Sequence, residues 1–146
     1  MIQFEGVEQF ASDPASLFAK LADAGFVAGC LPDAQMTEAT TDRAVWKVRP
    51  KLAFISGSID TSATVIERIE NEVVRYRLES KSVGAGSSLE AVLKFQATEG
   101  GTAVHWSGTI TAMTGLLKLA PKSLIQATAQ KVIADIWPAI HARTGC

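Results

Sequence analysis

Residues 115–143 read GLLKLAPKSLIQATAQKVIADIWPAIHAR, and this stretch near the end of the chain decides the fold. Apolar side chains recur in it at helical spacing and fall on one broad face. That face comprises Leu117, Pro121, Leu124, Ile125, Ala129, Val132, Ile133, Ile136, Trp137 and Ile140. The spacing predicts a long amphipathic helix that begins near Gly115, and Pro138 is expected to kink or loosen its last turns. So wide an apolar face needs a large apolar partner, and the strands that precede the helix are the only candidate.

The chain before this helix alternates between apolar and polar residues as strands do. The first strand is predicted at Ile2–Phe10, followed by two short helical segments, one containing Leu17 and Leu21 and the other at 26–31. From 34 to about 112, alternating segments joined by short turns predict about six more antiparallel strands. The pattern therefore predicts an α+β fold and one domain spanning 1–146. A curved antiparallel sheet of about seven strands wraps around the long C-terminal helix, with two short helices after the first strand.

The composition narrows the class of partner. Of 146 residues, 47% are hydrophobic and 20% are charged, and the net charge is -1 with no basic cluster. Binding to DNA or RNA needs a concentrated positive face, so a nucleic acid is not expected as the main partner. No apolar run approaches the ~20 residues that a spanning helix needs. We therefore expect a soluble protein, with peripheral membrane contact left open.

The cysteines and histidines do not form a recognisable site. Cys30 and Cys146 make no CxxC pair and have no metal-ligand spacing with His105 or His141, so no metal, cofactor or disulfide scaffold is predicted. A reducing cytoplasm is the simplest compartment. We expect His105 to face solvent from a strand and His141 to lie at the surface near the helix end. No nucleophile setting is present either, and no catalytic residue is predicted.

The aromatic and apolar residues of the sheet and helix are the candidate ligand-binding set. They are Phe26, Leu31, Trp46, Phe54, Tyr76, Phe95, Trp106, Met113, Leu117, Ile133 and Trp137. The alternative is that these side chains simply form the core. Ligand pockets are mostly apolar with a few orienting polar groups, and the functional interpretation is that the core is incomplete at the open end of the sheet.

Several short motifs resemble the CoxG family, the G subunits of carbon monoxide dehydrogenase. They are Phe4-Glu5-Gly6 in the first strand, Cys30-Leu31-Pro32 after the second helix, Phe54 with Gly57, Gly101-Thr102 before the last strand, and Gly115. The chain departs from the family at Pro32-Asp33, where members commonly have Pro-Gly. That family lies within the helix-grip superfamily of START, polyketide cyclase and birch-pollen-allergen proteins.

The resemblance implies a cavity between sheet and helix that holds a lipophilic, quinone- or lipid-like molecule. It also implies an accessory role to a molybdenum hydroxylase in the cytoplasm, at the inner face of the membrane. Two alternatives stay open. One is a cyclase or dehydratase that uses the same cavity, for which Tyr76 is the main inward-facing titratable residue. The other is a partner-binding module with a closed core and an exposed patch around Leu116 and Leu119, which could contact a membrane, a partner or a second copy of the chain.

Overall fold

The computed structural model describes residues 2–31, 34–48, 59–82, 84–119 and 121–144, without the side chains of Leu116 and Leu117. Its elements follow the predicted order. They are β1 (Ile2–Phe10), α1 (Pro14–Leu21), α2 (Ala24–Gly29), β2 (Gln35–Ala39), β3 (Arg43–Val48), β4 (Ile59–Ile69), β5 (Val73–Ser82), β6 (Ala85–Thr98), β7 (Gly101–Gly115), α3 (Leu116–Leu119) and α4 (Lys122–Thr144).

All seven strands form one antiparallel sheet in the order β1-β7-β6-β5-β4-β3-β2. Consecutive strands from β2 to β7 pair with each other, and β1 pairs with β7, so β1 and β2 are the edge strands. Register shifts interrupt the ladders between Val65 and Glu67 and between Ser88 and Leu89, and such bulges bend a sheet. The predicted curved seven-stranded sheet with two short helices after β1 and a long C-terminal helix is confirmed.

The two short helices close one end of the concave face. Asp13 caps α1 by accepting a hydrogen bond from the Ser16 amide at 3.1 Å, and Asp23 caps α2 by accepting one from the Phe26 amide at 3.1 Å. Because Asp23 caps it, α2 begins at Ala24, two residues earlier than predicted. Leu17 and Leu21 are fully buried in the cluster that joins these helices to the sheet.

The long helix begins later than the sequence indicated. β7 keeps its pairing with β6 as far as Gly115, which adopts φ +62. A Cβ at this position would lie 1.9 Å from the Gly84 carbonyl oxygen, so only glycine fits at this strand end, from which the chain passes into the short α3. The helix starts after Pro121, whose carbonyl accepts hydrogen bonds from the Leu124 and Ile125 amides. Pro138 does not end the helix, which continues to Thr144.

Only part of the predicted apolar face of α4 is buried. Ile125 near its start and Trp137 and Ile140 near its end are buried, whereas Leu124 and Val132 are 37% and 52% exposed. The apolar face of α4 therefore packs on the sheet only in part. The helix is anchored near both ends, and its middle stands over an unfilled space.

His141 is only partly exposed near the helix end and makes contacts that the prediction of a surface position did not include. Its ring stacks on Phe10 with centroids 4.1 Å apart and an interplanar angle of 15°. Its Nε2 lies 3.0 Å from Oε1 of Glu8, and both side chains are 28% exposed. His141 follows Trp137 by one helical turn on the same face, which brings it onto β1.

Candidate functional site

A cavity of about 440 Å³ lies between the concave face of the sheet and α4. This volume falls within the range of roughly 300–1,000 Å³ that small-molecule pockets occupy. Its wall is mostly apolar. The larger apolar side chains are Phe4, Leu21, Val27, Leu31, Trp46, Ile59, Leu78, Leu89, Leu93, Trp106, Ile110, Met113, Ile125, Val132, Ile133, Ile136, Trp137 and Ile140.

The strand register arranges the floor of the cavity in cross-strand rows. The innermost row joins Val74, Leu93 and Trp106, next to the end that α1 and α2 close. The next rows join Tyr76, Ala91 and Gly108, and then Ala63, Leu78, Leu89 and Ile110. The next row joins Trp46, Thr61, Ser80, Ser87 and Met113, and Ile59, Ser82 and Ala85 line the cavity beyond it. The floor is thus apolar near the closed end and carries the hydroxyl groups of Ser80 and Ser87 farther out.

Small residues keep the middle of the cavity empty. Gly108 lies on the concave face between Trp106 and Ile110, and a Cβ built on it would meet no atom within 4 Å. Its neighbour across the ladder is Ala91, which also lines the cavity. A larger side chain at position 108 would fill this space without displacing the backbone.

Trp106 forms part of the wall and lies flat against β1. Its partner in the β1–β7 register is Gly6, and a Cβ on Gly6 would lie 2.6 Å from the indole Cζ2. Its centroid is 6.0 Å from that of Trp137 on α4. The indole Nε1 is buried and has no hydrogen-bond partner among the residues that the structure describes. An unsatisfied buried donor costs about 1–3 kcal/mol.

Tyr76 lines the cavity but its hydroxyl is already engaged. The Tyr76 hydroxyl donates a hydrogen bond to the Leu21 carbonyl oxygen at 2.6 Å and is buried. Burial raises the pKa of Tyr76 well above its ordinary value, more than offsetting the opposing effect of Arg68. The hydroxyl therefore ties α1 to β5 and stays protonated.

The predicted ligand-binding residues divide into three groups. Those that line the cavity are Leu31, Trp46, Tyr76, Trp106, Met113, Ile133 and Trp137. Phe26 and Phe95 lie outside its lining: Phe95 packs edge-to-face on Phe18 with centroids 5.3 Å apart, and Phe26 packs partly buried against the same core. Phe54 and the Leu117 side chain lie outside what the structure describes.

Sequence reasoning missed the residues that give the cavity its shape and its polar end. Gly108 occupies the inward phase of β7, and Ser80 continues the inward phase of Tyr76 and Leu78 on β5. Alternation was the signal that could have identified both. Neither residue belongs to the predicted binding set, which contains only large apolar and aromatic side chains, because one is small and the other is polar.

The remaining candidates lie away from the cavity. His105 is exposed on β7, with Nε2 3.2 Å from Oε1 of Gln96. The described residues contain no group of three His, Cys, Asp or Glu side chains that could hold a metal ion. In the same residues, no helix is long and apolar enough to cross a membrane. Leu119 is 81% exposed, whereas the side chain of Leu116, the other residue of the expected patch, lies outside what the structure describes.

An antiparallel sheet curved over a long helix, with an apolar cavity between them, defines the helix-grip class. Residues 6–145 match the family model of the carbon monoxide dehydrogenase G subunit (CoxG), and the chain belongs to this family. No curated protein matches the chain in a sequence search.

Several solved structures share the fold. A conserved protein from Geobacillus kaustophilus is 12% identical with a TM-score of 0.83, over 99% of this chain and 95% of its own. A START superfamily protein from Mycobacterium smegmatis is 9% identical with a TM-score of 0.69, over 98% and 97% of the two chains. The protein Ara h 8.0201 is 15% identical with a TM-score of 0.64, over 98% and 97%. At these identities the likeness concerns the fold.

Proposed function

We propose that this protein binds one hydrophobic, quinone- or lipid-like molecule in the cavity between sheet and α4, and acts as a carrier. The observation that carries the proposal is the cavity itself, which is about 440 Å³ in volume and lined mostly by apolar side chains. Burying apolar surface of a ligand there contributes roughly 25 cal/mol per Å². Cavity and family membership together support this function.

The chemistry of the lining favours binding over catalysis. Among the described residues that line the cavity, the titratable side chains are Tyr76 and Lys81. Tyr76 has its hydroxyl held by Leu21 and its pKa raised by burial, and Lys81 is exposed at the rim. A cyclase or dehydratase would need an acid or base positioned over the substrate. The unfilled interior likewise disfavours a module with a closed core.

Family membership supports a finer proposal about context. The carrier would serve a molybdenum hydroxylase in the cytoplasm, working at the inner face of the membrane. Leu119 supports the membrane contact, because it is 81% exposed on α3 between Lys118 and Lys122. Apolar side chains flanked by cations favour an anionic lipid surface. Leu119→Ser should reduce flotation with phosphatidylglycerol vesicles and leave cavity binding intact; equal flotation of both proteins would contradict this contact.

The main test compares two leucine variants by the amount of lipophilic ligand that co-purifies with each. Gly108→Leu fills the cavity, whereas Gly100→Leu adds the same side chain in the β6–β7 turn, where a Cβ also meets nothing within 4 Å. Native mass spectrometry followed by organic extraction should recover one lipophilic molecule per chain from wild type and Gly100→Leu, and little from Gly108→Leu. Equal recovery from all three proteins would contradict binding in this cavity. Co-purification of the hydroxylase with the tagged wild-type chain tests the partner.

A further inference from the structure

The lining of the cavity changes chemistry along its length. From the closed end outward, the inward-facing residues of β5 are Val74, Tyr76, Leu78 and then Ser80. On β6 the same change occurs between Leu89 and Ser87, which pairs with Ser80. On β5 and β6 the inward-facing lining therefore changes from apolar to hydroxyl-bearing side chains at one cross-strand row, and Ile59 and Ala85 line the cavity beyond that row.

That row carries three hydroxyl groups on adjacent strands, of which Ser80 and Ser87 line the cavity and Thr61 is buried beside Ser80. Thr61 of β4 pairs with Ser80 of β5, and Ser80 pairs with Ser87 of β6. Thr61 Oγ1 and Ser80 Oγ lie 3.2 Å apart. Each hydroxyl has one donor hydrogen and two acceptor lone pairs, so this single bond leaves one O–H and several lone pairs available. Ser87 makes no side-chain hydrogen bond with the described residues. Trp46 and Met113 border the row at its two ends.

The row offers hydrogen bonds without a charge. Lys81 is the charged side chain in the described lining, but it occupies the outward phase of β5 and is exposed opposite Asp60. An ionised head group taken out of water needs a paired counter-charge, whereas an alcohol or carbonyl needs only hydrogen-bond partners. Hydroxyl groups supply those partners as both donors and acceptors.

We propose that Ser80 and Ser87, with Thr61 hydrogen-bonded to Ser80, form the head-group subsite for an uncharged amphiphile. A hydroxyl or carbonyl oxygen of the ligand hydrogen-bonds to this row, and its apolar body lies inward over Leu78 and Gly108. This orientation rests on the proposed function, since it places the polar and apolar ends of the same ligand within the cavity. It places the polar end of the ligand at the end of the cavity opposite α1 and α2.

Displacement of the neutral fluorescent probe N-phenyl-1-naphthylamine by octanol, octanoate, octylammonium and octane tests the subsite. The variant Ser80→Ala/Ser87→Ala removes two hydroxyls from the row, and Ser62→Ala/Ser88→Ala removes two from the opposite face of the sheet. We expect the first variant to bind octanol about fivefold more weakly, because the loss of one hydrogen bond costs about 1 kcal/mol. Its affinity for octane should not change. The control should match wild type, and wild type should prefer octanol to octanoate.

The outcomes separate the two proposals. Unchanged octanol affinity in Ser80→Ala/Ser87→Ala overturns the subsite, as does tighter binding of octanoate or octylammonium than of octanol. A preference for octanoate that Lys81→Met abolishes would assign the head group to Lys81. Failure of the wild-type protein to bind the probe or octanol overturns the proposed function as well. Probe binding that Gly108→Leu removes keeps the carrier function even if the subsite is wrong.

Discussion

Gly6 and Trp106 show how one residue sets the position of a cavity wall. The indole can lie flat over β1 because Gly6 has no side chain, and a Cβ there would approach the ring to 2.6 Å. Trp106 also keeps a buried Nε1 without a partner among the described residues, so the arrangement has an energetic cost that other contacts must offset. The sequence places both residues on facing strands but does not reveal that they touch.

We predict that Gly6→Ala pushes the indole toward the cavity and destabilises the protein. Overpacking of this kind costs about 1–3 kcal/mol, which urea unfolding would measure as a lower midpoint. Gly108→Ala is the matched control, because its added methyl group meets no atom within 4 Å. Equal midpoints for the two variants would contradict the close approach of Trp106 to β1.

We predict that Tyr76→Phe is destabilising near neutral pH, by about 1–3 kcal/mol, because it leaves the Leu21 carbonyl oxygen buried without its donor. The pH dependence has a definite sign. Since burial raises the pKa of Tyr76 in the folded state, the unfolded chain loses this proton first, above pH ~10, and stability falls as pH rises further. Urea unfolding from pH 7 upward should show a shallower alkaline fall for Tyr76→Phe than for wild type. Parallel curves for the two proteins would contradict the burial of the Tyr76 hydroxyl.

Individual binding residues could be predicted only as far as strand alternation allows. Alternation correctly gives Trp106 and Phe95 inward positions, but it does not fix how far each lies from the closed end. Phe95 is covered by Phe18 of α1, while Trp106 borders open space. That difference depends on where α1 docks, which no local pattern in β6 or β7 encodes.

At the scale of elements, α4 is held at its ends. Ile125 packs with Ile2 and Phe4 near the start, and Trp137 and Ile140 join the main core near the end. Its apolar spacing predicted that the sheet is the partner of the helix but did not say where the two are in contact. The same spacing fits a helix that contacts the sheet at two places and lines a cavity between them, because a cavity wall is also apolar.

We predict that His141 and Glu8 are energetically coupled and hold the C-terminal part of α4 on β1. A double-mutant cycle with Glu8→Gln and His141→Gln should give a coupling energy of about 0.5–1.5 kcal/mol at neutral pH. Lys131 and Asp135 provide the comparison, since they form an exposed pair within α4 alone. Such an exposed helix pair is expected to couple by only about 0.3–0.5 kcal/mol. A coupling energy of zero between Glu8 and His141 would contradict the contact.

The element order was predictable because strand alternation and turn residues are local signals. The start of α4 was not, since Gly115 is equally suited to opening a helix and to ending a strand at positive φ. What decides between them is the pairing of Gly115 with Ala85, two residues far apart in the sequence. The alternation also predicts separate strands at residues 52–62 and 64–70, whereas the described part of β4 runs unbroken through Ala63, because β3 and β5 pair with it on both sides.

At the scale of the whole molecule, the proposed ligand binding depends on an interior that side chains leave unfilled. Proteins normally pack their interiors at high density. A cavity of about 440 Å³ lies under α4, which contacts the sheet only near its two ends, and a bound molecule would explain this cavity. Cavity volume is the sum of small mismatches between helix and sheet, and the small residues Ala63, Ala91 and Gly108 contribute to it together. No single stretch of sequence determines that sum.

The measurement that tests this account most directly is a fluorescence titration of delipidated protein with N-phenyl-1-naphthylamine. The account predicts saturable uptake of one probe per chain by wild type and by Gly100→Leu, and at least a tenfold loss of affinity in a folded Gly108→Leu, which corresponds to about 1.4 kcal/mol. Uptake by Gly108→Leu at wild-type affinity, or no saturable uptake by wild type, would contradict it.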